Sequence, residues 1–520
     1  MAAGSRTSET FPFRKVLIAN RGEIAVRIIR ACRELGLQSV AIYSDVDRYA
    51  LHVRLADEAY HIGPPAASQS YLNIARILDV ARRSGATAIH PGYGFLAENP
   101  EFVEACDAAG VIFVGPPAGV QRQMGEKTAA RRAAQAAGVP IVPGTLTDLE
   151  DTAQAAQLAQ EIGYPVLLKA AAGGGGKGIR LVTHPDELTA SLRAARSEAS
   201  SSFGDSSVYL EKAVTPARHI EVQIIADKHG NVVHMGEREC SIQRRHQKLV
   251  EESPSTALDD ALRARFTEAA VRLARSIGYV NAGTVEFLLG PDRNFYFLEV
   301  NTRLQVEHPV TEWRTGLDLV REQLRVAAGL PLTVRQEDIA FSGHAIECRI
   351  SAEDPFNRFL PATGTIVMLQ EPSGPGVRVD SGAYQGMDVP LFYDPLLAKL
   401  ITWGGDRTTA IARMRRALRE YTLSGVHTTI PFHRFVMDSP RFQQGDLSTD
   451  FVAEEWHGEL ATARDDGATA PEVIAAMAAA LVAQDNAAAD QRRRLAAVNG
   501  ARTGSRWRDL ARRDALGSRY

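Results

Sequence analysis

The stretch Lys15-Val16-Leu17-Ile18-Ala19-Asn20-Arg21-Gly22-Glu23 decides how the first part of this chain is read. Residues 15–19 form a short apolar run that suits a strand buried on both faces. Asn20-Arg21-Gly22 then turns it into an amphipathic helix over 23–35 that stops near Gly36. The alternation continues outward: strands at 39–43, 86–90 and 111–114, and helices near 72–83 and 100–109. Strand and helix alternating at this spacing predict a parallel, doubly wound α/β sheet with both faces covered. The first strand–helix turn, Asn20-Arg21-Gly22-Glu23, is not G-x-G-x-x-G, so a dinucleotide site fails on its own motif.

Beyond residue 124 the pattern changes. A helix over 126–137 leads to a strand opening at Tyr164-Pro165-Val166, and strands of antiparallel character follow at 207–210, 219–225, 232–240, 284–288 and 295–306. Residues 343–451 read as short strands and turns with one good helix at 410–421. The length of 520 residues is a soft prior for about three domains. Hydrophobic content of 45% and charged content of 23% exclude a mostly disordered, collagenous or coiled-coil chain. No apolar run approaches the ~18 residues of a membrane span, and Met1 to Thr10 lack the apolar stretch of a secretory signal. Cys32, Cys106, Cys240 and Cys348 are scattered without C-x-x-C spacing, which predicts reduced, core-filling thiols and a cytoplasmic protein. The net charge of −3 gives no reason to expect nucleic acid.

Three clusters carry chemistry. Gly173-Gly174-Gly175-Gly176-Lys177-Gly178 follows a strand ending at Lys169, and only glycines let backbone N–H groups come so close to a polyphosphate. It is not a Walker A loop, because Ala171 and Gly178 stand where that motif needs Gly and Ser or Thr. In Phe297-Leu298-Glu299-Val300-Asn301-Thr302-Arg303-Leu304-Gln305-Val306-Glu307-His308, strand alternation would put Glu299, Asn301, Arg303, Gln305 and Glu307 on one face. Carboxylates with an amide suit a hard cation such as Mg²⁺, with Glu286 as a second carboxylate from a neighbouring strand. An arginine beside a further carboxylate suits an oxyanion substrate and a base. Finally, Gln243-Arg244-Arg245-His246-Gln247-Lys248 is a basic hexamer in a near-neutral chain without interleaved aromatics, which favours a small phosphorylated ligand over nucleic acid. Lys127, Glu211-Lys212, His219 and Arg349 are weaker candidates singly.

Taken together, these residues resemble the biotin carboxylases of the ATP-grasp superfamily over about residues 14–452. The resemblance rests on ANRGEIAVRI (19–28), HPGYGFLAEN (90–99), KAAAGGGGKGIR (169–180), RRHQKLVEESPS (244–255), EVNTRLQVEHPVTE (299–312), GHAIECRISAEDP (343–355) and YDPLLAKL (393–400). It implies a doubly wound N-terminal domain at 11–125. An ATP-grasp domain at 126–342, with a lid subdomain at about 142–214, would follow, and then a C-terminal mixed α/β biotin carboxylase domain at 343–455. Lys127, Lys169, Glu211, Lys212, His219, Gln243 and His246 would contact ATP beneath a lid of Gly173, Gly174, Gly175 and Gly176. Glu286, Glu299 and Asn301 would hold Mg²⁺ or Mn²⁺. Lys248, Arg303, Gln305 and the backbone of Val306 would hold bicarbonate, Glu307 would be its base, and Arg349 would face the ureido oxygen of biotin. Ala171 and Ala172, and Phe359-Leu360-Pro361-Ala362-Thr363-Gly364, depart slightly from the family's pattern without touching these positions.

The family attaches biotin to a lysine preceded by methionine, and none of the eight methionines here is followed by lysine. The resemblance therefore implies a separate biotin carboxyl carrier protein and separate carboxyltransferase subunits, with a homodimer as the family's usual state and no membrane or nucleic-acid partner. The expected activity is the first half-reaction of an acetyl- or propionyl-CoA carboxylase. The alternatives are the biotin carboxylase component of a two-subunit pyruvate carboxylase and a non-catalytic scaffold. Residues 456–520 stand apart: 461–490 hold 13 alanines, and 491–520 carry nine arginines against two aspartates. This Ala/Arg-rich tail is expected to be partly disordered and to dock one of the partner proteins.

Overall fold

The computed structural model describes residues 11–149, 151–170 and 179–458. The glycine run at 173–176 and the tail from residue 459 lie outside the described residues. Strands β1 (Lys15–Ile18), β2 (Gln38–Ser44), β3 (Glu58–Gly63), β4 (Ala88–His90) and β5 (Ile112–Phe113) form a wholly parallel sheet in the order β3-β2-β1-β4-β5. Val16, Ile18 and Ala88 face one core with helix Gly22–Glu34, while Leu17, Val40 and Ile89 face another with helix Ile74–Ser84. Both faces are therefore covered, as continuous apolar strands require. The edge strand β3 escapes the sequence reading because Glu58-Ala59-Tyr60-His61 is half-exposed and mostly polar.

A small antiparallel sheet follows, β6 (Val166–Ala170), β7 (Ile179–Val182) and β8 (Val208–Lys212), in the order β7-β6-β8. Helices Thr152–Ile162 and Leu188–Phe203 cover it through Leu168, Leu192 and Leu210. The main sheet is antiparallel and eight-stranded. It takes in β9 (Arg218–Ala226), β10 (Val232–Arg244), β11 (Gln247–Ser253), β12 (Asn281–Leu289), β13 (Phe295–Asn301) and β14 (His344–Ser351), in the order β13-β12-β9-β10-β11-β14, and ends with Leu396–Gly404 and Val377–Ser381. The sheet thus runs straight across residue 343. Helix Asp260–Ser276 packs on it through Phe266, Ala270 and Leu273 against Ile220, Val222 and Val285.

Two sequence expectations need correction, the strand over 295–306 and the single helix of the C-terminal region. The strand expected over 295–306 ends at Asn301, and residues 302–307 are a turn that leads into helix His308–Thr315. Pro309 at the start of that helix and the glutamate N-cap end the extended run, although alternation of polar and apolar residues continues through it. The helix expected over 126–137 is present as Lys127–Ala136, and a further helix, Ala118–Gly125, precedes it across the extended backbone of Glu126. The C-terminal region holds a second substantial helix, Ile430–Asp438, which buries Phe432, Val436 and Met437. All four cysteines are buried free thiols, as their spacing predicts.

Candidate active site

The site face of the main sheet is built by alternation. On β9, Ile220, Val222 and Ile224 enter the core, so His219, Glu221 and Gln223 project from the opposite face, all buried. Register carries the face across neighbouring strands: Glu221 lies opposite Arg238 on β10 and Glu286 on β12, and Glu286 lies opposite Glu299 on β13. At the far end of β10, Gln243 faces Lys248, so the basic hexamer is a hairpin. Arg245 and His246 at its tip adopt left-handed backbone, which non-glycine residues take only when their surroundings compensate.

These groups open onto a cleft of about 1350 Å³ between the parallel sheet, the small antiparallel sheet and the main sheet. Lys127, Lys169, His219, Gln243, His246, Lys248, Glu286, Glu299, Asn301, Arg303, Gln305, Val306 and Arg349 all line it, together with Asn20, Arg21, Gly22 and Glu23 of the opening motif. Asn20 explains that motif: its amide donates to the carbonyls of Pro91 (2.6 Å) and Tyr93 (2.8 Å), pinning the His90–Gly94 turn to the cleft wall. Cations dominate one end. Burial lowers the Lys127 ammonium, and neighbouring Lys169 adds to the effect. Burial lowers the His246 imidazole too, helped by Lys169, His219 and Lys127. Burial and neighbouring cations both disfavour the charged forms, a cost that a bound polyanion relieves.

Lys248 is the hub. It is nearly enclosed, and its Nζ donates to Glu221 (2.5 Å), Glu286 (2.7 Å) and Glu307 (2.8 Å). Glu307 is fully buried behind the lining. It accepts from Lys248 and, through its other oxygen, from Arg349 at 2.8 Å. Burial pushes the Glu307 carboxyl up, but Lys248, Arg349 and Arg238 more than offset it and hold it well below the usual range. It is therefore held in the ionised form. Arg349 is oriented in turn by Glu251 (2.6 Å), and its carbonyl accepts from Thr429 (2.8 Å). Arg303 forks between Glu98 (2.7 Å), Gln305 (2.9 Å) and Asn301 (3.0 Å).

The sequence reading gathers Glu299, Asn301, Arg303, Gln305 and Glu307 on one strand face. The structure gathers the same residues by a strand end and a turn. Glu211 and Lys212 differ: neither side chain lines the cleft. Glu211 is buried against Arg131 (2.9 Å) and Lys169, while Lys212 donates to the carbonyls of Gly163 and Tyr164, each at 2.9 Å. The sequence reading misses Glu221, Arg238, Glu98 and Glu251. Alternation in His219-Ile220-Glu221-Val222-Gln223 carries a signal for Glu221, since a polar set opposite a wholly apolar one points away from the core. Glu98 and Glu251 carry none, because their partners are distant in sequence.

Glu286 and Glu299 face each other across β12 and β13, and Asn301 donates to Glu286 at 2.8 Å. Among the described residues no hydrogen bond or ion pair reaches the Glu299 carboxylate, and burial, then Glu286, raises its pKa. Glu286 itself is pulled below the usual range, because Lys248 and His219 outweigh its burial. Two facing carboxylates and an amide oxygen, one carboxylate short of positive charge, fit a hard divalent cation.

Comparison with known proteins accords with this geometry. Family models match residues 12–120 (biotin carboxylase, N-terminal domain), 126–335 (carbamoyl-phosphate synthase L chain, ATP binding domain) and 347–454 (biotin carboxylase C-terminal domain). One of the pyruvate carboxylase subunits of Methanothermobacter thermautotrophicus is 55% identical, over 86% of this chain and 91% of its own. Biotin carboxylase 1 of Bacillus subtilis is 54% identical, over 84% and 98%. The biotin carboxylase domain dimer of Hydrogenobacter thermophilus 2-oxoglutarate carboxylase was solved with magnesium ADP, ADP and bicarbonate. It superposes with a TM-score of 0.83 at 49% identity, over 86% of this chain and 99% of that one. Fold and cleft are those of an ATP-grasp ligase, with buried lysines and histidines interleaved with the facing carboxylates Glu286 and Glu299. Within that class, the chain belongs to the biotin carboxylase family. Among the described residues no helix is long and apolar enough to cross a membrane.

Proposed function

We propose that this chain uses ATP and bicarbonate to carboxylate biotin held on a separate carrier protein, as the first half-reaction of an acyl-CoA carboxylase acting on acetyl- or propionyl-CoA. The observation that carries the reading is the buried, ionised Glu307, held between Lys248 and Arg349 at one end of a cation-lined cleft. Bicarbonate is a poor electrophile, and ATP activates it. Glu307 takes its proton, Arg303 and Gln305 with the Val306 backbone hold it, and its oxygen attacks the γ-phosphate, displacing ADP to give carboxyphosphate. Lys127, Lys169, His219, Gln243 and His246 orient the nucleotide. Lys248 neutralises charge developing on the transferring phosphoryl group. Glu211 acts one step back, by holding Lys169. Glu286, Glu299 and Asn301 would hold Mg²⁺, which supplies further neutralisation of phosphate charge. Carboxyphosphate then breaks down to CO₂ and phosphate; the phosphate takes the ureido N–H proton of biotin, Arg349 stabilises the resulting negative ureido oxygen, and the nitrogen attacks CO₂ to give carboxybiotin.

The domain boundaries 11–125, 126–342 and 343–455 belong to the same proposal, as do a homodimer, a carboxyltransferase partner and the cytoplasm as the compartment. A two-subunit pyruvate carboxylase is the second reading, favoured by likeness to the Methanothermobacter protein. Steady-state phosphate release with free biotin tests the chemistry. The wild-type chain should release phosphate only with bicarbonate, and faster with biotin. Glu307→Gln should lose at least ~10²-fold in kcat, the usual scale for a general base. Unchanged bicarbonate-dependent turnover in that variant would remove Glu307 from its role.

A further inference from the structure

Two of the stretches singled out in the sequence have no part in the chemistry above: Asn20-Arg21-Gly22-Glu23, and Tyr393–Leu400 with its Lys399. The fold brings them together behind the turn that carries the base. Lys399, on Leu396–Gly404, is completely buried, and its Nζ donates to the carbonyl of Val306 at 2.9 Å. Glu23, in the first turn of helix Gly22–Glu34, approaches the same Nζ at 3.3 Å and is itself buried. Asp380 lies farther off, at 3.9 Å, and is already bound bidentately by Arg378 at 2.9 and 2.7 Å. Glu23 is thus the carboxylate nearest to Lys399, with the buried Glu347 also sharing its charge.

A fully buried lysine is an expensive way to fill a core, since an apolar side chain of similar volume is often neutral or better for stability. What Lys399 does that an apolar residue cannot is grip one carbonyl. Because the peptide unit is planar and trans, fixing the Val306 carbonyl fixes the opposite edge, the N–H of Glu307, and with it the direction of the Glu307 side chain. The preceding peptide is pinned too: His308 Nδ1 meets the Gln305 carbonyl at 2.8 Å, which fixes the Val306 N–H. Two successive peptides are therefore held through their carbonyls, at residues Gln305 and Val306 that line the cleft.

We infer that Lys399, clamped by Glu23, is a positioning residue that aims the Val306–Glu307 peptide, and so the base, at bicarbonate. The inference rests on the reading of Glu307 and Val306 given above. A group misplaced by about 1 Å can cost roughly 10²-fold in rate, which sets the expected scale.

The test is phosphate release by the full-length chain, titrated separately with bicarbonate and ATP. Lys399→Met should raise KM for bicarbonate and lower kcat, a combined loss of roughly 10²-fold in kcat/KM, with KM for ATP unchanged. Lys399→Arg, which can still donate to the carbonyl, should recover a large part. The double variant Lys399→Met/Glu23→Gln removes the lysine together with its nearest carboxylate charge, and should show the same bicarbonate defect. Either Met variant showing wild-type KM for bicarbonate, while Glu307→Gln is inactive, would overturn the inference alone. An active Glu307→Gln would instead bring down the reading of the base. Loss of folded protein in both Met variants, seen by circular dichroism, would make the contact structural and also overturn the inference.

Discussion

Glu221 shows how much of this site is invisible until partners are seen. It is fully buried and shared between Arg238 and Lys248, each at 2.5 Å. Arg238 is itself buried and spreads its remaining donors over Gln223 (2.6 Å), Thr311 (3.0 Å) and Thr284 (3.1 Å). Glu221 thus sets the height of Lys248 above the sheet. Glu221→Gln keeps the shape and removes the charge, leaving two buried cations short of one partner. We expect a loss of about 3–5 kcal/mol of stability, the scale for breaking a buried ion pair, together with reduced turnover. Urea denaturation and phosphate release read the two effects. A variant as stable as wild type would show that Lys248 is adequately neutralised by Glu286 and Glu307 alone. At this scale the sequence shows residue types well and partnerships poorly. E-N-R-Q-E at residues 299–307 is legible as ion and anion chemistry, whereas Glu98, which holds Arg303 from 205 positions away, is not.

Among the elements, the turn at 302–307 does what a strand was expected to do. Strand β13 supplies Glu299 and Asn301, the turn supplies Arg303 and Gln305, and the helix N-cap supplies Glu307. Alternation in sequence marks which residues share a role, but it does not distinguish a strand from a turn backed by distant side chains such as Lys399. Close approach of elements decides the rest. A Cβ on Gly382 would lie 2.7 Å from the Glu23 backbone nitrogen and 2.9 Å from the Gly22 carbonyl carbon, so only glycine lets that loop reach the start of helix Gly22–Glu34. Gly382→Ala must push the two apart, at about 1–3 kcal/mol as overpacking usually costs. We expect a lower thermal midpoint and, because Glu23 moves away from Lys399, a higher KM for bicarbonate. An unchanged midpoint would show that the loop yields without strain.

For the molecule as a whole, buried neutral histidines set its acid limit. Burial lowers His52 and His433 to about 4, despite Asp47 beside the first and the Arg349 carbonyl against the second. Burial takes His90 to about 3. Between ~6.5, the ordinary value, and about 4, the unfolded chain binds these protons and the folded chain does not. Their contribution is therefore complete above pH ~6.5 and is lost as pH falls through about 4, on the order of 3 kcal/mol per ring. Thermal midpoints measured from pH 7 to pH 4 should fall steeply. A flat profile would mean that the rings are protonated in the fold. The sequence by itself determined the parallel α/β opening, the chemistry of the glutamate, lysine and arginine clusters, and the family those motifs mark, because apolar periodicity and residue type are local properties. Only the tertiary structure decided that one eight-stranded sheet runs through residues 218–404, that Glu221 and Glu98 support the site, and that Glu23 and Lys399 meet behind the base. Those outcomes depend on register and on contacts between elements hundreds of residues apart, which no local pattern encodes.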